Sequence, residues 1–256
     1  MTDATQIQWS SAACTDVGLV RRINEDACLD RPERGLWAVA DGMGGHALGD
    51  VASRMVVDAL DAIPAPDSLA TFMADARDRL LAVNQQLREE AAARGAHIIG
   101  STVVVLVAWD DQCGYLWAGD SRIYLYRDAR LRRLTRDHSQ IEELVSSGSI
   151  SPEDAAFYPA RNLITRAVGA AETLDIDADT IVVEDGDIFL LCSDGLSNEV
   201  SEQDMCSVLP AGDCRYAAQA LIDMALQQGG RDNISVVLVR AEDLSSIEQT
   251  VLNPTL

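Results

Sequence analysis

Residues 36–42 read LWAVADG, an apolar run that ends in Asp41 and Gly42. A short apolar run indicates a buried strand, and aspartate is depleted inside strands, so Asp41 marks where this strand should end. A single aspartate beside a glycine is usually only a turn residue. The run therefore predicts a buried strand, and whether its aspartate has a further role depends on the rest of the chain.

The same pattern occurs twice more along the chain. Residues 114–120 read GYLWAGD and end in Asp120, and residues 187–194 read DIFLLCSD and end in Asp194. Buried strands deliver their ends to a common edge of a sheet. Three strands with this pattern therefore predict that the three aspartates lie close together.

Further β-like runs and helical stretches define the fold class. Short runs rich in Val, Ile, Leu, Trp and Tyr, bounded by Gly, Asp or Asn, indicate strands at 8–15, 98–108, 123–127, 181–183 and 234–240. Two helical stretches lie between the runs at 36–40 and 98–108. The longer one repeats apolar residues every three or four positions from Leu69 to Leu87, and a later helix is predicted over 216–227. Tight turns between neighbouring runs favour antiparallel pairing. We predict one α/β (α+β) domain over residues 1–256, with antiparallel sheets covered by helices, a core at about 7–241 and a polar excursion at 139–161.

Composition and charge exclude several classes of protein. The chain has 256 residues, 48% of them hydrophobic, and a net charge of −21. This apolar content excludes a disordered chain, and the acidic surface argues against nucleic acid and anionic membranes as partners. The longest apolar run, 102–109, is shorter than the ~20 residues that span a bilayer. With no signal pattern at the N-terminus and six cysteines without a C-x-x-C pair, we expect free thiols and a cytoplasmic protein.

Three further carboxylates belong to polar segments beside predicted strands. Asp232 lies in GGRDNIS (229–235), and Glu25 and Asp26 lie in RRINEDA (21–27). Carboxylates gathered at one point raise one another's pKa, and a bound divalent cation is an economical way to keep them ionised. Ligands that are all oxygen favour Mg²⁺ or Mn²⁺ over zinc. Arg21, four residues before Glu25, offers a planar fork for phosphate oxygens, although spacing alone leaves an ordinary surface arginine equally open.

These motifs closely resemble those of the metal-dependent PPM/PP2C serine/threonine phosphatases, and most of all their compact bacterial members. They occur in the order of that family and span residues 18–240, as R21-x-x-NEDA27, DGMGGH (41–46), GDSR (119–122), SDG (193–195) and DNIS (232–235), with a further matching run at 162–169. The resemblance implies a β-sandwich of two antiparallel sheets flanked by helices in α-β-β-α layers. It also implies a mobile flap at about 139–161.

The resemblance further assigns metal ligands. It implies two catalytic Mn²⁺ or Mg²⁺ ions with Asp41 between them. The Gly42 carbonyl and Glu25, directly or through water, would serve the second ion. Asp194 and Asp232 would complete the first site.

Other residues receive supporting roles from the same resemblance. Asp120, together with Asp194, would hold a third and weaker ion. Arg21 would bind the substrate phosphate, Asp26 would support the ligands or a metal-bound water, and Asn233 would shape the loop around the neighbouring aspartate.

The implied mechanism is direct hydrolysis by a water that bridges two metal ions, without a covalent phosphoenzyme. Many eukaryotic members have a histidine directly after the Asp-Gly pair, proposed as the acid for the leaving alkoxide. Here that position is Met43, which has no proton to donate, and the nearest histidine is His46. We expect His46 to be a structural hydrogen-bonding residue, and a metal-bound water is a possible alternative acid.

The residues permit two other interpretations of the chemistry besides metal-dependent hydrolysis. Cys28 and Arg34 have the C-x₅-R spacing of a cysteine phosphatase, but Pro32 lacks an amide hydrogen and Asp30 and Glu33 would repel phosphate, so this reading is rejected. A pseudophosphatase that binds a phosphoprotein or a kinase without hydrolysis is the main alternative, and the retention of all the aspartates argues against it. The expected partners are phosphoserine and phosphothreonine proteins, including a bacterial serine/threonine kinase and its substrates, and the expected state is a monomer.

Overall fold

Two antiparallel β-sheets form the centre of the computed structural model, which describes residues 7–44, 48–155, 158 and 163–243. The strands are β1 (Ile7–Asp16), β2 (Asp26–Arg31), β3 (Leu36–Gly44), β4 (Ile99–Ser101), β5 (Val103–Trp109), β6 (Gln112–Ala118), β7 (Arg122–Arg127), β8 (Arg130–Arg133), β9 (Asp177–Val182), β10 (Ile188–Cys192) and β11 (Ile234–Asp243). One sheet has the order β1-β11-β10-β7-β8. The other has the order β2-β3-β5-β6-β9, with β4 paired to the end of β3.

Helices cover the outer faces of the sheets. They are α1 (Gly49–Asp61), α2 (Leu69–Arg94), α3 (Gln140–Ser146), α4 (Pro152–Ala155), α5 (Asp194–Ser197), α6 (Glu202–Val208) and α7 (Cys214–Gln227), with a single 3₁₀ turn at Pro32–Arg34. Helices α1 and α2 pack on the sheet that contains β3. Helices α5, α6 and α7 pack on the sheet that contains β11. The predicted α-β-β-α arrangement is confirmed.

Strand alternation explains the layers, because successive side chains point to opposite faces of a sheet. In β3, Leu36 and Ala38 pack against α1 and α2, whereas Trp37 packs into the layer between the sheets. In β10, Leu190 packs against α7, whereas Phe189 packs between the sheets. Each large side chain that is fully buried in this way stabilises the fold by roughly 1.5–3 kcal/mol. The continuous apolar runs in the sequence reflect strands that are covered on both faces.

The apolar stripe predicted within residues 69–87 forms the buried face of α2. Phe72 and Leu80 are buried against the sheet. The helix begins after Ser68, whose side chain accepts a hydrogen bond from the backbone of Thr71. It ends at Gly95, which adopts the left-handed conformation with φ of 64°. The stripe, the cap and the terminal glycine therefore agree on one helix.

Three strand predictions differ from the structure. The run predicted over 98–108 is divided at Thr102 into β4 and β5. Strand β9 begins at Asp177, ahead of the predicted residue 181, because its exposed polar residues still pair with β6. Strand β8 was not predicted, because its arginine-rich sequence resembles a loop. Asp128 and Ala129 have positive φ and turn the chain back, so that β8 pairs with β7.

The polar excursion contains the two short helices α3 and α4 within its described part. Residues 156–157 and 159–162 lie outside the described residues. No helix among the described residues is long and apolar enough to cross a membrane. All six cysteines are described and none forms a disulfide, which confirms the prediction of free thiols.

Candidate active site

A cleft of about 370 Å³ gathers most of the predicted site residues. It is lined by Arg21, Glu25, Asp41, Gly42, Met43, Gly44, Thr102, Asp120, Ile164, Asp194, Asp232 and Asn233. Of the predicted residues, Asp26 does not line it, and His46 lies outside the described residues. The structure thus brings together five carboxylates and one arginine that come from segments far apart in the sequence.

The sheets place the three strand-associated aspartates in two different ways. Asp120 follows the end of β6 by two residues, and Asp194 follows the end of β10 by two residues and begins α5. The expectation that Asp41 ends its strand is wrong, because β3 continues to Gly44 through pairing with β4. Asp41 is held inside the strand by Thr102, whose amide donates to the Asp41 carbonyl at 2.8 Å and whose hydroxyl accepts from the Asp41 amide at 3.2 Å.

Gly42 is required at the point where three backbone segments meet. A Cβ added there would lie 2.0 Å from the carbonyl oxygen of Gly49 and 2.5 Å from that of Glu25. The Gly42 amide donates to the Glu25 carbonyl at 3.0 Å, and the Gly49 amide donates to Glu25 Oε1 at 3.1 Å. These contacts fix the Glu25 side chain beside Asp41 without a side chain on the intervening residue.

Asn233 joins the last strand to the loop that carries Arg21. Its side-chain oxygen accepts the Glu25 amide at 2.8 Å, and its side-chain nitrogen donates to the carbonyls of Val17 and Ile23, each at 2.9 Å. The residue is buried. It therefore shapes the loop at residues 17–25 as well as the turn around Asp232.

Arg21 reaches into the cleft and pairs with Asp232. Its guanidinium donates to Asp232 Oδ2 at 2.7 Å, and about half of the arginine side chain remains exposed. The bond to Asp232 is the first cause of the raised pKa of Arg21, so the group is positively charged in the cleft. An exposed, charged guanidinium is suited to an anion that enters from solvent.

Asp26 lies behind the cleft and is held by a serine pair. The Ser193 hydroxyl donates to Asp26 Oδ2 at 2.8 Å and accepts the Ser235 amide at 3.0 Å. Asp26 Oδ1 is buried and has no partner among the described residues. Burial, reinforced by repulsion from Asp194, raises the pKa of Asp26 to about 7.

Burial and mutual repulsion act on the other aspartates in the same direction. Burial raises the pKa of Asp41 well above its ordinary value, and repulsion from Asp26 and Asp194 adds to the effect. Burial and then repulsion from Asp194 raise the pKa of Asp120 to about 7. The pKa of Asp194 is also raised, first by burial and then by Asp232. Such a site favours a compensating positive charge.

The donor set fits a hard divalent cation. The side chains that line the cleft offer carboxylate oxygens, with no histidine or cysteine among them, as Mg²⁺ and Mn²⁺ prefer. In the part of the chain that the structure describes, no three acidic, histidine or cysteine side chains are already gathered tightly enough to hold an ion. Asp232 instead bonds Arg21. The fit therefore rests on the chemistry and the shared cleft of the donors.

Residues 20–226 match the sequence profile of the family described as protein phosphatase 2C. The chain belongs to the protein phosphatase 2C family. It is 38% identical over 239 residues to the serine/threonine protein phosphatase PstP of Mycobacterium tuberculosis, an alignment that covers 91% of this chain and 45% of PstP. The chain thus spans about half the length of that relative.

Solved structures support the same family assignment. PppA, described as a key regulatory component of T6SS in Pseudomonas aeruginosa, has a TM-score of 0.86 and 43% identity, covering 91% of this chain and 97% of PppA. The catalytic domain of PstP in complex with two manganese ions has a TM-score of 0.82 and 35% identity, covering 93% of this chain and all of that domain. The chain therefore has the fold of this family over about nine-tenths of its length.

Some contributors to the site were missed by sequence reasoning. Thr102, which holds Asp41, is a polar residue within an apolar run, and that interruption was the available signal. Ser193 and Ser235 lie in the SDG and DNIS motifs but received no role there, because the bond between them joins the end of β10 to β11, far apart in the sequence. Met43, which directly follows Gly42 in the DGMGGH motif, also lines the cleft.

Proposed function

We propose that this phosphatase hydrolyses phosphoserine and phosphothreonine in phosphoproteins with Mn²⁺ or Mg²⁺ as its cofactor. The observation that carries the proposal is the cleft itself, in which five carboxylates lie beside the exposed guanidinium of Arg21. Carboxylates suit divalent cations and the guanidinium suits phosphate, so one cleft contains both requirements of phosphomonoester hydrolysis. A pseudophosphatase is not favoured, because Asp41, Asp120, Asp194 and Asp232 all line the cleft.

We assign the carboxylates of the cleft to two cations. Asp41 would contact two ions, Asp194 and Asp232 would complete the first site, and Glu25 with the Gly42 carbonyl would serve the second. When bound, the cations supply an activated water for attack on phosphorus and offset charge on the phosphoryl oxygens. The rigid backbone contacts of Gly42 and Glu25 support this division, because they hold one carbonyl and one carboxylate side by side.

A third and weaker cation would lie farther along the cleft. Asp120 and Asp194 line both the main cleft and an adjoining cavity of about 190 Å³. Because their carboxylates repel each other and are buried, an additional positive charge between them would be favourable.

Arg21 would bind and orient the substrate phosphate. Its ion pair with Asp232 places the guanidinium at the carboxylate cluster, and the exposed half of the side chain is available to phosphoryl oxygens. Asp26 would accept hydrogen bonds or a proton behind the cleft through Oδ1, which has no described protein partner. Asn233 would keep Arg21 and Glu25 in register.

The biological setting follows from the same family. We propose that residues of about 7–241 form one catalytic domain with a flap near 139–161, that the chain is a cytoplasmic monomer, and that it opposes a bacterial serine/threonine kinase by acting on the kinase and its substrates. The excess of acidic residues supports a protein partner and argues against nucleic acid and anionic membranes.

The test is metal-dependent turnover by the purified chain. After EDTA treatment, we expect no hydrolysis of p-nitrophenyl phosphate or a phosphothreonine peptide, and recovery of both activities on titration with Mn²⁺. Asp194→Asn should lower kcat by several orders of magnitude and weaken Mn²⁺ binding measured by calorimetry. Asp223→Asn, on the exposed face of α7, is the matched control and should change neither property. Undiminished turnover after exhaustive chelation would contradict the proposal.

A further inference from the structure

Exposed apolar side chains are concentrated beside the cleft. The described part of the chain has eight exposed large hydrophobic residues, namely Leu19, Val20, Ile23, Leu81, Ile98, Leu163, Val182 and Tyr216. Three of the eight lie within five consecutive residues around Arg21, and a fourth, Leu163, precedes Ile164, which lines the cleft. Single exposed apolar residues need no explanation, but a cluster next to a functional cleft marks an interaction surface.

This cluster lies in a segment that we call the basic–apolar loop, residues 18–23, with the sequence GLVRRI. The loop contains two arginines and no carboxylate, although the whole chain carries a net charge of −21. Arg21 enters the cleft, whereas Arg22 is exposed and has no hydrogen bond or ion pair with any residue that the structure describes. The loop is therefore a local positive and apolar surface on an acidic protein.

The loop is held in place by its backbone, so its side chains are displayed on a rigid support. Asn233 binds the carbonyls at both ends of the loop, and the Leu19 amide donates to the Gly230 carbonyl at 2.7 Å. Gly18 has φ of 76°, and a Cβ there would lie 2.2 Å from the Asp232 carbonyl oxygen. A rigid surface binds a partner with a smaller loss of conformational entropy than a mobile one.

We propose that the basic–apolar loop binds the residues two positions before and after the phosphorylated one and selects substrates with an apolar side chain there. The inference rests on the proposed function, because it takes Arg21 as the phosphate ligand. In an extended peptide, neighbouring residues lie about 3.3–3.6 Å apart and point to opposite faces, so the side chains two positions before and after the phosphorylated residue share its face. A segment whose phosphate is bound by Arg21 therefore turns the side chains at these two positions toward the exposed Val20 and Ile23.

Charge complementarity supports a phosphorylated segment as the occupant. A phosphorylated segment is negative and matches Arg21 and Arg22, whereas the acidic remainder of the surface repels it. A second copy of this chain is disfavoured as the occupant, because its net negative surface would lie against the net negative remainder of this one. Contact with apolar flanking residues adds binding that does not weaken with salt, unlike contact with phosphate alone.

Two phosphothreonine peptides that differ only in flanking residues test the inference. One carries leucine at the positions two residues before and two residues after the phosphothreonine, and the other carries serine at both. We expect the wild type to prefer the leucine peptide in kcat/KM. The Val20→Ser variant and the Val20→Ser, Ile23→Ser double variant should lower kcat/KM for the leucine peptide by about 3- to 10-fold, mainly through KM. Turnover of the serine peptide and of p-nitrophenyl phosphate should stay within about twofold of wild type.

The control is Val182→Ser, which removes a similarly exposed valine from β9 and should leave turnover of all three substrates unaffected. Equal thermal unfolding midpoints would show that the variants are folded. Unchanged selectivity in both loop variants would overturn the inference. Turnover of all three substrates by the wild type would leave the proposed function intact in that case. A parallel loss on p-nitrophenyl phosphate would overturn it by assigning the loop to the placement of Arg21. A wild-type dimer that Val20→Ser dissociates would overturn it in favour of self-association.

Discussion

Replacing Asn233 should lower both the stability of this protein and its activity. The side chain makes three hydrogen bonds, to the Glu25 amide and to the carbonyls of Val17 and Ile23. Each such bond contributes about 1 kcal/mol, and a buried partner left unpaired costs about 1–3 kcal/mol. Because the two carbonyls belong to a surface loop that water can reach after a small shift, we use the lower value for each. Asn233→Ala should therefore lower the free energy of unfolding by about 3 kcal/mol.

The effect on activity should be of similar size in free energy to the effect on stability, since a 100-fold loss of rate corresponds to about 2.7 kcal/mol. The three bonds hold the segment that carries Arg21 and Glu25, and a misplacement of about 1 Å in catalytic groups costs about 100-fold in rate. We expect kcat/KM for p-nitrophenyl phosphate at saturating Mn²⁺ to fall by about 100-fold or more in Asn233→Ala. Urea unfolding at pH 7 measures the stability of the same preparation.

The isosteric variant Asn233→Asp tests the direction of the two donated bonds. One carboxylate oxygen can still accept the Glu25 amide, but the other would face the carbonyls of Val17 and Ile23 and repel them. Burial beside these oxygens should raise the pKa of the new carboxyl group above the ordinary value of about 3.9. A group whose pKa is raised on folding destabilises the protein as pH rises above its unfolded pKa. The deficit of Asn233→Asp should therefore be small near pH 4 and grow toward pH 7.

The matched control is Gln219→Ala on the exposed face of α7, where the amide bonds only Asp223. It should change the free energy of unfolding by less than about 0.5 kcal/mol and leave turnover unchanged. If Asn233→Ala unfolds within 1 kcal/mol of wild type and keeps full activity, the three bonds do not hold the loop and the reasoning is refuted.

Three further predictions concern the buried carboxylate, the core and the thiols. Because burial raises the pKa of Asp26 to about 7, its ionisation destabilises the chelated protein as pH rises from about 4 to 7. Asp26→Asn should therefore be more stable than wild type by on the order of 4 kcal/mol at pH 8 in urea unfolding with EDTA, and should match it near pH 4. Equal stability at pH 8 would contradict this. Phe72→Ala should cost about 3–5 kcal/mol in the same assay without EDTA, since the ring is fully buried under α2, and a cost below 1 kcal/mol would show that the site is loosely packed. Burial raises the pKa of Cys28 and Cys192 to about 12 and that of Cys113 even further, so iodoacetamide at pH 8 should label the partly exposed Cys206 first and all six cysteines only in urea, as read by mass spectrometry; equal labelling of Cys113 in the native protein would contradict the buried thiol.

Local sequence patterns were sufficient for much of the fold. Each strand of the sandwich core buries alternate residues on two faces, so runs such as 36–40 are apolar throughout and can be predicted as strands from the sequence. The stripe of α2 and the aspartates after β6 and β10 are also local patterns. Strand β8 escaped prediction because an exposed edge strand buries too little to constrain its residue types. Asp41 was placed correctly in the cleft but not in its strand, since pairing with β4 extends β3 past it.

The sequence alone determined which residues could carry the chemistry, whereas only the tertiary structure decided how they are held. The bond between Asn233 and Glu25 spans 208 positions, that between Arg21 and Asp232 spans 211, and that between Ser193 and Asp26 spans 167. Hydrogen bonds between such distant segments impose no periodicity on the chain, so no local pattern announces them. They form only when the ends of β2, β10 and β11 meet at one end of the two sheets, where the acidic side chains and Arg21 share a single cleft.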